Sequence, residues 1–211
     1  MKRTKNLMPL GMVSVVAYLL HVFLGQALWE EYNPITTDIS SLTALGAPNA
    51  RLLNVFNSIY GICFFLFVLG MRAKATHKTV KRGYEVFHVM AVTTLLGYRL
   101  FPLTGDKTQM NFQNMMHLIV TIAVVFTTIA ALFILALAYR KQPGQRVVGI
   151  IALAAAILVT LFGALNPIGM ANDWNILGLT ERLVIFTLQA FVFYLSFLHT
   201  FKRKKYEEIS S

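Results

Sequence analysis

The chain has 211 residues, of which 56% are hydrophobic and 13% are charged, against roughly 25% charged in a typical soluble domain. So few charged side chains cannot cover a water-facing surface, and this composition excludes an ordinary soluble globular protein in favour of one that faces lipid. The net charge of +10 does not indicate nucleic-acid binding, because the basic residues gather at the ends of apolar segments.

Six segments of the chain are long and apolar enough to cross a bilayer, which takes about 20 mostly apolar residues. They are residues 7–28, 52–71, 83–101, 115–139, 147–165 and 183–201. The third is the weakest, because it carries Glu85, His88 and Arg99. The first is longer than the apolar core of a signal peptide, which has about 7–15 residues, so we expect it to be retained.

These segments predict an all-α integral membrane protein, a bundle of six transmembrane helices in a single domain over residues 1–211. Consecutive helices should pack as three helical hairpins at residues 7–71, 83–139 and 147–201. Fifteen of the nineteen Lys and Arg residues lie at the two termini or in the connections after the second and fourth helices. The positive-inside rule therefore predicts a multi-pass protein of the cell membrane with both termini in the cytoplasm.

The three connections expected on the outer side, 29–51, 102–114 and 166–182, share a sequence pattern. It reads NPITTD after the first helix, FPLTGD after the third and NPIGMAND after the fifth, which would fit a threefold duplication. In each copy, proline is expected to end the outward helix and Asp to cap the helix that follows. Asp106 would form a capping box with Gln109, and Asp38 would begin a short interfacial helix that ends at Gly46.

Polar residues concentrate at the outer ends of the predicted helices, where helical spacing places several of them on common faces. These faces hold Ser14, Tyr18, His21 and Gly25; Arg51, Asn54 and Ser58; and Asn114, His117 and Thr121. The same end contains three arginines and three acids, Arg51, Arg99, Arg182, Asp38, Asp106 and Glu181. Ionisable groups at membrane depth pair with one another or face a wet interior. Two interpretations stay open: ion pairs that tie loops to helices, and a polar pocket that opens outward.

We assign a candidate site to this outer end. The predicted ligand-binding residues are Asp38, Ser40, Arg51, Asn54, Arg99, Asn114, Glu181 and Arg182, and their arginines would hold an anionic group. His117 and Asp106 are the candidate catalytic pair for proton transfer.

No cofactor is expected at this site. His117, Asp38, Asp106 and Glu181 are suitable metal ligands by residue type, but the spacings HxxxH and HExxH are absent from the sequence. No two histidines at matching depth indicate a haem, and no GxSxG motif surrounds Ser40 to indicate a serine nucleophile.

The order of the motifs carries a family resemblance. The loop YNPITTDISSLTALGAPNARLLN leads into N-x-x-Y-G at Asn57 to Gly61, the third helix ends in FP before Asp106, His117 follows, and GLTERL opens the last helix. Over nearly the whole chain this order resembles the prokaryotic six-helix membrane family catalogued as domain of unknown function 998. The resemblance implies a bacterial or other prokaryotic membrane protein with this fold, and it implies little about chemistry.

More distantly, the layout is similar to eukaryotic membrane families linked to lipid remodelling and autophagy. It also invites comparison with the multi-helix metal hydrolases that include alkaline ceramidases. Those enzymes use several histidines with an Asp and a Ser, whereas this chain offers His117 with His21 as a second.

The residues and the resemblance together favour an outward-facing pocket that binds, and in one version modifies, a lipid headgroup or small amphiphile. One alternative is a non-enzymatic stress-response or partner protein whose outer loops dock another protein. A second alternative is a small transporter. Membrane lipids are the expected partners and nucleic acid is not, while enzymatic activity and the oligomeric state are left open.

Overall fold

A computed structural model describes residues 6–105 and 111–201, and within these ranges the chain forms six long helices and no strands. The helices are α1 Leu10–Ala27, α2 Ala50–Lys74, α3 Lys78–Val92, α4 Phe112–Arg140, α5 Arg146–Ala171 and α6 Leu177–Phe201. All of them except α3 are long and apolar enough to cross a membrane. The predicted all-helical membrane class is thereby confirmed, whereas the position of the termini relative to the bilayer stays a prediction.

The third helix differs from its neighbours in both polarity and geometry. Its first turns carry Lys78, Lys81, Arg82 and Glu85, and with 15 residues the helix is too short to count as a membrane span. After Val92 the helix continues through a π-helical turn, Thr93–Gly97, into a last α-helical turn, Tyr98–Leu100. Widened π turns inside α-helices are frequently found at functional sites.

The helices pack in chain order, and α6 returns to pack on α1, so that α1 to α6 form a closed ring. Glycines allow the close approaches within this ring. A Cβ atom added at Gly11 would come within 2.7 Å of Ser196 Cβ, and one added at Gly149 within 2.5 Å of the Arg140 backbone nitrogen. Small residues at such seams are typical of membrane helices, which associate by close packing because lipid offers no hydrophobic driving force between them.

The ring has two ends with different connections. At one end, here called the terminal end, lie the short connections 75–77 and 141–145 and the last helical residue, Phe201. At the other, the loop end, lie the connections 28–49, 101–111 and 172–176. The terminal half of the ring interior is filled by large apolar side chains, which include Phe64, Phe67, Phe87, Leu132, Leu135 and Phe191 at 0–2% exposure.

The third connection at the loop end is much shorter than the sequence predicts. Instead of a loop over 166–182, α5 runs on through Pro167 to Ala171 and α6 begins at Leu177. Pro167 leaves the Gly163 carbonyl without its usual N–H donor, but only one further turn of helix follows, so a single hydrogen bond is lost. Prolines are tolerated in membrane helices, where neighbouring groups can satisfy the freed backbone atoms. The expectation that Pro167 ends the fifth helix is wrong, and NPIGMAND is not a structural counterpart of the first two copies.

The first connection contains a short helix after Asp38, a five-residue 3-10 helix at Ile39–Thr43. Asp38 occupies the N-cap position, but its side chain makes no capping hydrogen bond to the backbone. Asp38 Oδ1 accepts from the Ser41 hydroxyl at 2.6 Å, while the Ile39 N–H donates to Glu181 Oε2 at 2.6 Å. The cap on this helix therefore comes from α6, 142 residues away in the sequence.

The N-terminus of α4 is also capped differently from the prediction. Asn111 is the N-cap residue, and its side-chain oxygen accepts from the Asn114 N–H at 2.8 Å. The predicted capping box of Asp106 and Gln109 lies outside the described residues. An Asp or Asn side chain is a common N-cap, and here Asn111, directly before the helix, has this role.

Candidate functional site

A cavity of about 330 Å³ lies in the loop half of the ring. Its polar and aromatic wall consists of Tyr18, His21, Ser40, Thr43, Asn54, Asn57, Ser58, Tyr60, Thr94, Tyr98, Arg99, His117 and Glu181. Its apolar wall includes Ile39, Leu45, Met90, Leu95, Pro102, Leu103, Val124, Ile185 and Leu188. The volume is at the lower end of the roughly 300–1,000 Å³ that is usual for small-molecule sites.

The structure distributes the predicted site residues between this cavity and its surroundings. Five of them line the cavity: Ser40, Asn54, Arg99, His117 and Glu181. Three others, Asp38, Asn114 and Arg182, are buried outside the wall, and Arg51 is exposed on α2. Asp106, the predicted partner of His117, lies outside the described residues.

Two connections close the cavity at the loop end. Residues 39–45 of the first connection and 102–103 of the second contribute to its wall. The Leu45 N–H donates to the Leu103 carbonyl at 2.8 Å, and Leu45 forms an isolated parallel bridge with Thr104. The two connections are thus joined into a roof over the cavity.

His117 is held in one orientation by the start of the second connection. Its Nδ1 lies 2.8 Å from the Phe101 carbonyl oxygen, which can only accept a hydrogen bond. Nδ1 must therefore carry the proton, and in the neutral imidazole Nε2 is then the acceptor nitrogen. Because His117 also lines the cavity and is 7% exposed, it offers a group that can take up a proton there.

Glu181 links α6 to the roof while it lines the cavity. One of its carboxylate oxygens accepts from the Ile39 N–H at the start of the 3-10 helix. The two interpretations of the sequence, a tie between loop and helix and a polar pocket, are therefore not exclusive at this residue. A single acid both positions the roof and presents negative charge to the cavity.

Arg182, next to Glu181, clamps the first connection instead of lining the cavity. It is 7% exposed, and its Nη1 donates to the carbonyls of Gly178 at 2.9 Å and Thr37 at 3.2 Å. Its Nη2 donates to the Tyr32 hydroxyl at 2.7 Å. Burial raises the pKa of Tyr32 to about 12, so this hydroxyl stays protonated and donates to the Asp38 carbonyl at 2.8 Å.

Asn114 plays the same part for the second connection. Its Oδ1 accepts from both the N–H and the hydroxyl of Thr104 at 2.9 Å, and its Nδ2 donates to the Thr104 carbonyl at 3.1 Å. Three hydrogen bonds to one residue fix the position of the connection relative to α4. Arg182 and Asn114, both predicted to bind ligand, thus each anchor one half of the roof.

Arg99 marks a place where the cavity wall reaches the surface of the ring. Its guanidinium donates to the Ser58 hydroxyl, which donates in turn to the Asn54 carbonyl. Arg99 and Asn54 line the cavity and are nevertheless exposed. The seam between α2 and the last turn of α3 is therefore both cavity wall and outer surface, and polar groups lie on both of its sides.

His21 is a wall residue that the sequence interpretation did not assign to the site. It is 2% exposed, and neither ring nitrogen has a hydrogen-bond partner among the residues that the structure describes. Its ring lies edge-on to Tyr18 at 5.5 Å between centroids. The helical stripe through Ser14, Tyr18, His21 and Gly25 was visible in the sequence, but such a stripe does not tell whether it faces a neighbouring helix or an open space.

Other wall residues, Asn57, Tyr60, Thr94 and Tyr98, were also missed. The last two belong to the π turn and the α-helical turn after it, which no local sequence signal announces. Among the described residues no group of three or more His, Cys, Asp or Glu side chains is placed to hold a metal ion. Since Asp106 is outside that part of the chain, the absence of a cofactor stays a prediction.

Comparisons with known proteins give one match. The sequence model of the family described as "Protein of unknown function (DUF998)" matches residues 12–198, which extend from the first turn of α1 to the last turn of α6. No curated protein and no solved structure matches the chain.

Proposed function

Because the chain belongs to the DUF998 family, as the order of its motifs predicted, and the family description names no activity, we propose a function from the site itself. The protein is a multi-pass protein of the cell membrane, with both termini in the cytoplasm, whose loop-half cavity binds the headgroup of a membrane lipid or another small amphiphile. The helices that are able to span a membrane support the location, and the cavity supports the binding.

The observation that carries the proposal is the mixed character of one cavity. His117, Glu181 and Arg99 present hydrogen-bonding and charged groups to it. Leu95, Ile185 and Leu188 present apolar surface to the same space. An amphiphile needs both kinds of contact, since its headgroup must keep its hydrogen bonds when it leaves water and its chain must not lose apolar surroundings.

The position of the exposed wall supports access from the lipid side. The joined connections cover the loop end, and tightly packed aromatic side chains fill the terminal half. The seam at Arg99 and Asn54 is an exposed part of the wall, as is Leu45 in the roof, and the neighbours of the seam on the outer surface, Val55 and Leu96, are 55% and 52% exposed. Exposed aliphatic residues on membrane helices face acyl chains, so a ligand entering at this seam comes from the bilayer.

The charge at the seam favours an anionic headgroup. Arg99 donates to a neutral hydroxyl, and it forms no ion pair with any described residue. Arg72 at the terminal end, by contrast, pairs with Glu85 at 3.1 Å. An arginine at membrane depth normally pairs with a carboxylate or phosphate, which its planar guanidinium can bind through two hydrogen bonds. A lipid phosphate would supply the anionic partner that Arg99 does not find among the described residues.

His117 would be the base if the bound lipid is also modified. Its Nδ1 donates to the Phe101 carbonyl, so Nε2 would be the nitrogen that accepts the proton. Asp106, the predicted partner of His117, follows Gly105 in the sequence and lies outside the described residues. Replacement of His117 by Gln should then leave lipid binding intact and abolish turnover of the copurified lipid.

The alternatives make different predictions about the polar residues. A protein that only docks another protein through its loops needs a self-satisfied polar cluster with no cavity, whereas the cavity and the unpartnered His21 favour ligand binding. A transporter predicts net flux of a solute, which uptake into proteoliposomes measures.

The proposal is tested by lipid analysis of protein extracted without detergent into polymer-bounded discs. We expect mass spectrometry to find anionic lipid enriched over the bulk membrane in wild-type discs, and a loss of roughly tenfold or more in Arg99→Gln, because a charge-assisted hydrogen bond is removed. Arg51→Gln is the matched control, since Arg51 is an exposed arginine of α2 outside the cavity wall. An equal loss in both variants, or no enrichment in the wild type, contradicts the proposal.

A further inference from the structure

His21 is a buried polar side chain of the cavity wall whose hydrogen bonds are not made. It is 2% exposed, and both of its ring nitrogens lack a partner among the described residues. Buried polar groups in native proteins almost always have a partner, because an unmade hydrogen bond destabilises the folded state. The free space beside His21 is the cavity itself, so a partner for it can be supplied from there.

Other histidines of the protein show what a structural histidine looks like in this fold. His117 is bonded to the Phe101 carbonyl, and His199 lies 3.1 Å from Lys74 Nζ. Each of these rings connects two elements of the structure. His21 connects none, and instead it lies edge-on to Tyr18, which packs in turn on Tyr60 at 4.7 Å between ring centroids. Its imidazole therefore lies at the cavity and makes no hydrogen bond to a described residue that would tie two elements together.

The chemistry of the imidazole restricts what can bind to it. In its neutral form the ring has one N–H donor and one acceptor nitrogen. Phosphate and carboxylate oxygens only accept hydrogen bonds when ionised, so they suit one of the two nitrogens. An alcohol hydroxyl both donates and accepts, and it therefore suits whichever nitrogen faces the cavity.

We propose that His21 binds an alcohol hydroxyl in the headgroup of an anionic amphiphile, while Arg99 binds the anionic group of the same molecule. This rests on the proposed function and narrows it to anionic lipids with a polyol headgroup. The two side chains lie on α1 and at the end of α3, which are separated by α2 in the ring, so they approach the cavity from different sides. One end of the headgroup then lies at the exposed seam, and the other lies against the buried face of α1.

The test compares two lipid probes on delipidated full-length protein, with matched acyl chains. Phosphatidylglycerol has a phosphate and free alcohol hydroxyls, and phosphatidic acid has a phosphate and no alcohol in its headgroup. We expect wild-type protein to prefer phosphatidylglycerol by roughly tenfold, the usual effect of one satisfied hydrogen bond. His21→Phe should reduce this preference to about one while phosphatidic acid still binds, and His21→Gln, which keeps a donor and an acceptor, should restore part of it.

His88→Phe is the control for the same substitution elsewhere, because His88 packs on Phe65 and lies outside the cavity wall. It should leave the preference unchanged. Should His21→Phe fail to fold, His21→Met supplies the same loss of hydrogen bonding with a more adaptable side chain.

A second measurement separates ligand binding from a packing role. Lipid-free His21→Phe should unfold at a temperature no lower than the wild type, because an unsatisfied polar group has been removed. Added phosphatidylglycerol should stabilise the variant less than the wild type. The same lipid preference in both proteins overturns the inference about His21 and leaves the proposed function standing. Failure of the wild type to bind either probe overturns both.

Discussion

The two halves of the helix ring contain similar residue types, but these residues pack the core in the terminal half and line a cavity in the loop half. In the terminal half Phe67 and Phe87 are fully buried, and the buried hydroxyl groups of Tyr84 and Tyr139 are hydrogen-bonded to each other at 2.7 Å. In the loop half a cavity takes the place of the aromatic packing, and the ring nitrogens of His21 beside it have no hydrogen-bond partner in the part of the chain that the structure describes. Stability therefore comes mainly from one half, which leaves the other free to hold a site that is itself not optimal for stability.

Polar residues of the loop half divide further into anchors and wall residues. Arg182 and Asn114 hold the connections, each through two hydrogen bonds to backbone atoms. Arg99 and His21 belong to the wall. Among the described residues Arg99 is bonded to a neutral hydroxyl and to no acid, and the ring nitrogens of His21 have no hydrogen-bond partner. In a membrane protein with few polar residues, some of them can therefore fix the loops that shape a cavity, while others line the cavity and can contact a ligand.

The largest effect is expected from removal of packing in the terminal half. Phe67→Ala should lower the free energy of unfolding by about 3–5 kcal/mol, the usual effect of truncating a fully buried aromatic side chain. Leu95→Ala in the cavity wall, where free space already exists, should cost much less. Equilibrium unfolding in mixed detergent micelles measures both variants. Equal losses of unfolding free energy would mean that the terminal half is packed no more tightly than the loop half.

An intermediate effect is expected when the roof is released from α6. Arg182→Gln removes the bonds to Thr37 and Tyr32 and should destabilise the protein by about 2–3 kcal/mol, since these are charge-assisted hydrogen bonds to a buried group. The loss should be local, so hydrogen exchange should speed up in residues 32–45 and stay slow in the terminal half. The exposed Arg51→Gln is the control. Unchanged exchange in 32–45 would show that Arg182 does not clamp the connection.

The smallest effect tests the close contact of the π turn with α4. A Cβ added at Gly97 would lie 2.7 Å from Val120 Cγ1, so Gly97→Ala should cost about 1–3 kcal/mol through overpacking and should change the cavity wall. At Gly163 the nearest side-chain atom would be 3.9 Å away, so Gly163→Ala should be neutral or slightly stabilising. Thermal unfolding of the two variants distinguishes a required glycine from a tolerated one. If Gly163→Ala destabilised the protein more than Gly97→Ala, the close contact of the π turn with α4 would be disproved.

Several features could be predicted because they depend on residues close together in the chain. Apolar length indicated spanning segments, and the order of short motifs indicated the family, which the match over residues 12–198 confirms. The weakness of the third segment was also visible, because Glu85 and Arg99 interrupt its apolar run. In the structure α3 ends at Val92 and is the one long helix of the described chain that does not qualify as a span. The prediction that the fifth helix ends before Pro167 was wrong, because a proline this close to the end of a helix removes only one backbone hydrogen bond and the helix continues to Ala171.

The sequence by itself determined that this protein belongs among helical membrane proteins and that its polar residues gather toward one end of the bundle, because both follow from local composition and helical period. Only the tertiary structure decided which polar residue does what. Glu181 caps a helix 142 residues away, Arg182 beside it holds a loop, and Arg99 lines a cavity without an ion pair to any described residue. Their residue types and helical positions are alike in the sequence, and they differ only in what the closed ring of helices brings near them.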